Sequence, residues 1–270
     1  MAVLAAADQR GHASLYFLTD SRISWQGRNG TWDFGRKTFF SRTTPDIFAF
    51  CGDALFPSMV LPQIVGLVEA GLAFRPGASF HQRFDKVRAH VTEAFTSYPL
   101  RQVDLTIVHG GRDGDGMDSS FWIGVMNWSH SANRWLAPVI ARPPQGSGIG
   151  FTAGSGTSAI RRAVNRWNKA GDPSTSRRAF VSFLDSLKSR ADPLTGGPPQ
   201  MVGLYRIDGG RQFGILWNYK GYVGGLVVGQ QTAESLAIEW RNELFERVSV
   251  VTRKRVPGAQ RHTDVATTRP

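Results

Sequence analysis

An aspartate and a lysine are the first residues in this sequence that could do chemistry together. Asp20 lies just after the apolar run 15–18, and Lys37 follows seventeen residues later on the next hydrophobic segment. Such residues can meet inside a sheet, where each offsets the cost of removing the other from water. The pair can then hold a nearby amine or hydroxyl in a reactive protonation state. A purely structural ion pair fits the same two residues, so the pair alone indicates a candidate site without naming a reaction.

The chain is long enough to bury one large core. It has 270 residues, of which 41% are hydrophobic, and we expect a single domain over 1–250. The segment 251–270 is rich in basic residues, Pro, Gly, Thr and Gln and is predicted to be a disordered tail. No apolar run reaches the eighteen residues of a membrane span, and the start lacks a signal-peptide pattern, so we expect a cytoplasmic protein with no membrane contact.

Composition also bounds the ligands. Cys51 is a lone cysteine and cannot form an internal disulfide, and the six scattered histidines show no zinc-ligand spacing, so no metal and no cofactor are predicted. The net charge of +11 favours acidic partners in general. Charge is the only argument for nucleic-acid binding, since no recognition motif accompanies it, and we do not expect that function.

Apolar periodicity predicts strands and paired helices in alternating groups. The predicted strands lie near 3–7, 12–20, 36–41, 47–51, 103–109, 121–126, 135–141, 201–207, 212–218 and 222–228, and 110–118 is predicted to be a turn. Helices are predicted at 55–71, 79–95, after Gly156, at 174–190 and at 232–247. Mostly hairpin-connected strands with helices in pairs indicate a layered α+β domain.

Five motifs occur in a fixed order along the first 226 residues. They are Asp20-Ser21-Arg22, Lys37, Cys51-Gly52-Asp53-Ala54, Gly154-Ser155-Gly156 and Asp192-Pro193-Leu194-Thr195-Gly196-Gly197. Their order and spacing resemble those of the β-type subunits of the proteasome and of the related bacterial protease HslV, which are N-terminal nucleophile (Ntn) hydrolases. The resemblance implies a four-layer αββα sandwich, in which two antiparallel sheets face each other and helices cover both. It also implies a homo-oligomeric or mixed ring that cleaves peptides or unfolded proteins.

The resemblance assigns roles to individual residues. In such enzymes the first residue supplies both the nucleophilic oxygen and, through its α-amine, the base; a free α-amine titrates near 8. By resemblance, Lys37 would lie beside the nucleophile and Asp20 would hold that lysine charged. Ser155 and Asp192 would complete the proton network, and Thr195 would stand where the family usually has serine.

Three further positions would bind substrate. By resemblance, backbone groups of Ser24, Gly52 and Ala54 would hold a peptide in extended form, and the amide of Gly52 would point at the developing oxyanion. A side chain at position 52 would crowd the scissile carbonyl.

The family's N-terminal threonine is missing. Counting without gaps from Gly11 puts Met1 opposite the nucleophile, whereas removal of Met1 would expose Ala2, which we take as the nucleophile position. Cys51 is a conceivable substitute, but it lies in a predicted buried strand and has no α-amine. A natural pseudoenzyme, a threonine changed to alanine and a misassigned start all remain open. The sequence therefore predicts a threonine-type peptidase subunit that is silent as written, or a non-catalytic structural or regulatory subunit of a proteasome-like assembly.

Overall fold

The computed structural model of the chain describes residues 1–8, 11–25, 30–169, 175–229 and 238–261. It begins with β1 (Ala2–Asp8) and β2 (Gly11–Thr19), which pair as an antiparallel hairpin, as the two apolar runs predict. The short strands β3 (Ile23–Ser24) and β4 (Thr31–Trp32) then form a two-stranded sheet of their own, in a region predicted mainly as loop.

The other strands of the described residues form two larger sheets, one of which also includes β1 and β2. The first set is β5 (Thr38–Phe40), β6 (Asp46–Gly52), β7 (Leu105–Asp113), β8 (Ser120–Ser129), β9 (Arg134–Trp135) and β10 (Val139–Ala141). These six form one antiparallel sheet in the order β10-β8-β7-β6-β5, with β9 paired to β8. The second set is β11 (Gly148–Thr152), β12 (Gln200–Tyr205), β13 (Arg211–Trp217), β14 (Lys220–Val223), β15 (Leu226–Val227) and β16 (Glu239–Arg241). With β1 and β2 they form an eight-stranded sheet in the order β11-β1-β2-β12-β13-β14-β15, and β16 pairs in parallel with β13.

The predicted turn at 110–118 was partly wrong, because β7 continues through both glycines to Asp113. A Cβ atom at Gly110 would lie 2.6 Å from the Phe17 ring, and one at Gly111 would lie 2.2 Å from the Phe80 ring. The glycines therefore make room for aromatic rings against the strand, and the turn begins only at Gly114. Strand β11 was not predicted, because Gly148 and Gly150 interrupt its apolar pattern.

The helices α1 (Leu55–Glu69) and α2 (Phe80–Thr96) cover the six-stranded sheet. Ser79 caps α2 through a reciprocal capping box with Gln82. Apolar residues at steps of four, three, four and four form a stripe on one face of α2, which the sequence already shows. The stripe is fully buried in the apolar cluster between these helices and the sheet; its members are Phe80, Phe84, Val87, Val91 and Phe95. Both predicted helices are confirmed.

The helices α3 (Thr157–Lys169) and α4 (Ser176–Lys188) pack against the eight-stranded sheet. Residues of β2 alternate between two apolar clusters, as strand geometry requires. Tyr16 and Leu18 face the helices, whereas Leu15 and Phe17 face the six-stranded sheet. The inner cluster joins the two sheets, and the site lies at its border.

A buried charged cluster anchors α2 to its sheet. One carboxylate oxygen of Asp46 accepts hydrogen bonds from Arg83 Nε at 3.0 Å and from His109 Nε2 at 2.7 Å, and the side chains of all three are at most 7% exposed. Burial lowers the pKa of His109, although the adjacent carboxylate opposes that shift. His109 is therefore a neutral core residue that holds Asp46 in place.

The final predicted helix, 232–247, was wrong where the structure describes it. Residues 230–237 lie outside the described residues, and 238–247 contain β16 and a turn. Trp240 packs on the backbone of β13, where a Cβ at Gly214 would lie 2.3 Å from its ring. Strand pairing over this glycine therefore overrides the helical pattern.

The end of the domain was predicted at residue 250. Residues 251–261 form turns beyond it, in which the Val256 amide donates to the Arg247 carbonyl at 3.1 Å; positions 262–270 lie outside the described residues. None of the helices in the described part of the chain is long and apolar enough to span a membrane.

Candidate active site

Lys37 and Asp20 form the ion pair that the sequence predicts. Lys37 Nζ lies 2.9 Å from Asp20 Oδ1, and the two residues are only 9% and 6% exposed. Asp20 directly follows β2 of the eight-stranded sheet and Lys37 directly precedes β5 of the six-stranded sheet, so the pair joins the two sheets. The second oxygen of Asp20 accepts hydrogen bonds from the amides of Arg22 and Gly196, each at 3.1 Å. Asp20 thus ties the lysine to the 192–197 loop.

The amino group of Met1 lies in the field of this pair. It donates to the carbonyl oxygen of Ala153 at 3.1 Å, and the Met1 side chain is buried in the cluster between the sheets. Burial lowers the pKa of this amine, and the charge of Lys37 acts in the same direction, whereas Asp20 and Asp192 oppose it. An amine with a lowered pKa is more often neutral near pH 7, as a proton acceptor must be.

Ala2 does not join the pair. It pairs with Leu18 on one side and Thr152 on the other, and its fully buried side chain belongs to the cluster under α3 and α4. Met1 and Ala2 therefore point to opposite faces of the eight-stranded sheet. In this register, position 1 rather than position 2 carries its side chain to the face between the sheets.

Asp192, Ser155 and Thr195 lie together, and their roles in a proton network stay a prediction. Thr195 Oγ1 donates to Asp192 Oδ2 at 2.6 Å, and the amide of Leu194 donates to the other oxygen at 3.0 Å. Burial alone would raise the pKa of Asp192, but hydrogen bonds from Ser155 and Thr195 outweigh it and lower the pKa. The charge of the Met1 amine also lowers the pKa of Asp192, so this carboxylate is among the groups whose charges act on the amine.

Gly154 lets Cys51 approach the same place. Gly154 has a φ of +89°, and a Cβ there would lie 3.4 Å from Cys51 Sγ. Burial raises the pKa of the Cys51 thiol, although the amine of Met1 opposes the shift. A thiol that is held protonated is a poor nucleophile, so the geometry does not favour Cys51 as a substitute for threonine.

The predicted substrate-binding positions lie on three separate segments. Ser24 pairs with Thr31 in the small β3–β4 sheet, Gly52 is the exposed last residue of β6, and Ala54 directly precedes α1. Gly52 has a φ of +93°, and a Cβ there would lie 1.9 Å from the carbonyl oxygen of Asp104. Glycine is therefore required here by the fold itself; the roles of these positions toward a peptide stay predictions.

Two groups near the site were not among the predicted site residues. Arg22 makes a two-pronged pair with Asp33 at 2.8 and 2.9 Å and donates to the carbonyl of Pro193 at 3.0 Å. The hydrogen bond from Arg22 also lowers the pKa of Asp33. Gln200, 1% exposed, lies at the centre of a hydrogen-bond cluster next to Lys37. The sequence gives little sign of this role for Gln200, because it shows only an amide side chain just before the apolar run 201–204.

No group of three or more His, Cys, Asp or Glu side chains in the described residues is arranged to hold a metal ion. The groups that the site does bring together are the Met1 amine, the buried Lys37 and the carboxylates of Asp20 and Asp192.

The fold is similar to that of solved proteasome-like proteins. Anbu, the ancestral β-subunit, from Yersinia bercovieri is 13% identical with a TM-score of 0.51, and the match covers 76% of this chain and 82% of that one. The Gly-1 mutant of Anbu from Hyphomicrobium sp. strain MC1 gives 13% and 0.51, with 78% and 86% covered. HslV from Trypanosoma brucei gives 11% and 0.44, with 76% and 99% covered. No family model and no curated protein matches the sequence. The likeness to the two Anbu structures supports a proteasome-like fold and indicates no particular subunit.

Proposed function

We propose that this chain is a proteasome-like subunit of the threonine-peptidase type, built as a four-layer αββα sandwich and silent while positions 1 and 2 lack a hydroxyl. The observation that carries the proposal is the buried Lys37–Asp20 pair, close enough to the Met1 amine for both charges to act on it. A buried ion pair is by itself a poor source of stability, because hydrophobic residues of similar volume often give the folded protein the same stability or more. A role toward a nearby reacting group gives a reason for the charges to be here.

A threonine at position 1, directly before β1, would complete the site. Its hydroxyl oxygen attacks the peptide carbonyl while the α-amine takes up the hydroxyl proton, directly or through water. The charge of Lys37 favours the developing alkoxide, and the ion pair with Asp20 fixes the direction of the lysine side chain. The negative oxygen of the tetrahedral intermediate is held by the Gly52 amide. The C–N bond of the intermediate then breaks as the α-ammonium group gives its proton to the leaving amine, which leaves an acyl ester on the threonine. Water attacks this ester in a second step, with the α-amine again accepting a proton, and releases the acid and the free threonine.

A specific observation favours the alternative, a non-catalytic structural or regulatory subunit. Positions 1 and 2 are Met and Ala, and the nearby Cys51 has a raised thiol pKa. The retained pair would then only hold the 192–197 loop on β2.

Assembly is part of both proposals. Leu55 and Met59, one turn apart on α1, are 53% and 60% exposed, and Leu72 just beyond the helix is 76% exposed. Large apolar side chains exposed at both ends of one helix suit a contact with another subunit. Trp167 offers no such surface, because it is only partly exposed and its Nε1 donates to Asp185 at 2.8 Å.

One experiment separates the two functions. Intact-mass and N-terminal analysis of the native protein would identify the residue that begins the chain, and light scattering would measure its assembly. The same sample would be assayed with fluorogenic peptides and a covalent threonine-directed inhibitor. Turnover with labelling of the first residue supports the peptidase, and an assembled but inert protein with an authentic Met or Ala start supports the structural subunit. A monomer of about 30 kDa, the mass of one chain, would contradict both.

A further inference from the structure

We propose that Gln200 is a positioning residue that holds Lys37 and Asp20 in register with each other. The inference rests on the proposed function, since it concerns the same site. Gln200 is the first residue of β12 and pairs with Thr19, the last residue of β2. Its side chain therefore starts one residue away from Asp20 along the sheet.

The amide of Gln200 makes four hydrogen bonds to two segments. Its oxygen accepts from the Lys37 amide at 3.0 Å and from Thr38 Oγ1 at 3.3 Å. Its nitrogen donates to the Gly35 carbonyl at 2.6 Å and to Ser21 Oγ at 2.7 Å. A primary amide has two N–H groups and two oxygen lone pairs, so its full capacity is used.

Backbone partners fix the direction of this amide. The Lys37 N–H can only donate and the Gly35 carbonyl can only accept, so the oxygen must face Lys37 and the nitrogen must face Gly35. Ser21 Oγ then accepts from Gln200 and donates to the Pro198 carbonyl at 2.7 Å. No other side chain of this size offers two donors and two acceptors in one plane.

These hydrogen bonds fix the distance between the backbone at Asp20 and the backbone at Lys37. Ser21 directly follows Asp20, and the Lys37 amide belongs to the lysine itself, so one rigid amide spans both. The backbone of Gly225 covers it, since a Cβ there would lie 2.7 Å from Ser21 Oγ and 3.1 Å from the Gln200 nitrogen. A group that is one layer behind reacting residues typically changes their rate through placement.

The test compares Gln200→Met with Leu204→Ala. Methionine keeps the length and volume but removes all four hydrogen bonds, whereas Leu204 lies on the same strand, is fully buried and touches only the core between the sheets. Hydrogen exchange followed by mass spectrometry reports on residues 19–22 and 35–38 in the chain as it exists. We expect faster exchange in both segments for Gln200→Met and in neither for Leu204→Ala. If Gln200→Met does not fold, Gln200→Asn, whose amide is too short to span both segments, replaces it with the same expectation.

The same variants are then made in a chain that carries a threonine at position 1. Gln200→Met should lower kcat by about 10- to 100-fold with KM nearly unchanged, and Leu204→Ala should leave both nearly unchanged. Unchanged exchange in both segments, an equal kcat loss in Leu204→Ala, or faster exchange with an unaltered kcat would each overturn the inference. If the threonine chain itself has no turnover, the proposed function fails, and the exchange comparison alone decides the role of Gln200.

Discussion

Met1 and Ala153 exchange two backbone hydrogen bonds: the Met1 amino group donates to the Ala153 carbonyl at 3.1 Å, and the Ala153 amide returns a bond to the Met1 carbonyl at 3.2 Å. This exchange extends the β1–β11 ladder to the first residue and fixes which face each side chain takes. A shift of one residue would turn every side chain of the strand to the other face.

The first prediction follows from this register. A threonine exposed at position 1 by a cleavable leader, Met1→Thr, should give peptidase activity, because its hydroxyl lies on the Lys37 face. Ala2→Thr with Met1 removed should give far less, because its side chain points toward α3 and α4. Turnover of a fluorogenic peptide by correctly processed, assembled protein is the measurement. Adding Lys37→Met should abolish the gain almost completely, since residues that act as a unit are strongly non-additive. Equal activity of the two threonine chains would refute the register.

The second prediction concerns the coupling of Lys37 and Asp20. Lys37→Met should cost about 3 kcal/mol of unfolding free energy, at the low end for a broken buried pair, because two backbone amides still bind Asp20. Asp20→Asn with Lys37→Met should cost less than the sum of the singles, by at least about 1 kcal/mol. Urea unfolding of the four chains measures the coupling.

A surface ion pair provides the control for that cycle. Lys188 and Glu243 are 46% and 32% exposed, so Lys188→Ala should cost about 1 kcal/mol or less. Strictly additive losses at Lys37 and Asp20 would mean that the two residues do not act on each other.

The third prediction is a pH dependence of stability from His109. Its pKa is lowered in the folded protein, so below its ordinary value near 6.5 the unfolded chain binds a proton that the folded chain does not. Stability should therefore fall as the pH drops from about 7 to 5, by up to about 1.4 kcal/mol per pH unit. The charged groups in contact with His109 are Asp46 and Arg83. The pKa of Asp46 is lowered from its ordinary 3.8, so protonation of this carboxylate changes the stability mainly near and below pH 3.8, outside this pH range.

Urea unfolding at several pH values measures this slope. His109→Gln removes the titration but keeps a donor for Asp46, so its stability should change less over the same range. An identical slope in both proteins would show that another group is responsible.

The sequence predicted the fold through its regular patterns and failed where single glycines decide. The stripe Phe80 to Phe95 and the hairpin of β1 and β2 were visible, because their periods are regular. The strand through Gly110 and Gly111 and the pairing of β16 over Gly214 were not, because both depend on aromatic rings from distant segments. The pair Asp20 and Lys37 was found by residue type and spacing, whereas Gln200 was missed because its role depends on three segments that meet only in the folded chain. Counting without gaps already placed Met1 opposite the nucleophile, but the sequence could not choose between positions 1 and 2, since only pairing with Thr152 and Ala153 sets the face of each side chain.

The fourth prediction tests whether Gly52 is required by the fold. Gly52→Ala must adopt a φ near +93° and place a methyl group 1.9 Å from the Asp104 carbonyl oxygen. The left-handed backbone alone costs about 1 to 2 kcal/mol for a residue with a Cβ, and relief of the overlap adds to it, so we expect a loss of more than about 2 kcal/mol. Gly66 is the matched control, because it lies inside α1 with open space around its Cα. Gly66→Ala should stabilise the protein by about 0.5 to 1 kcal/mol. Thermal unfolding of both variants compares the two effects. A Gly52→Ala variant of unchanged stability would mean that β6 and residue 104 can separate. The Gly52 amide would then have no fixed direction toward the oxyanion.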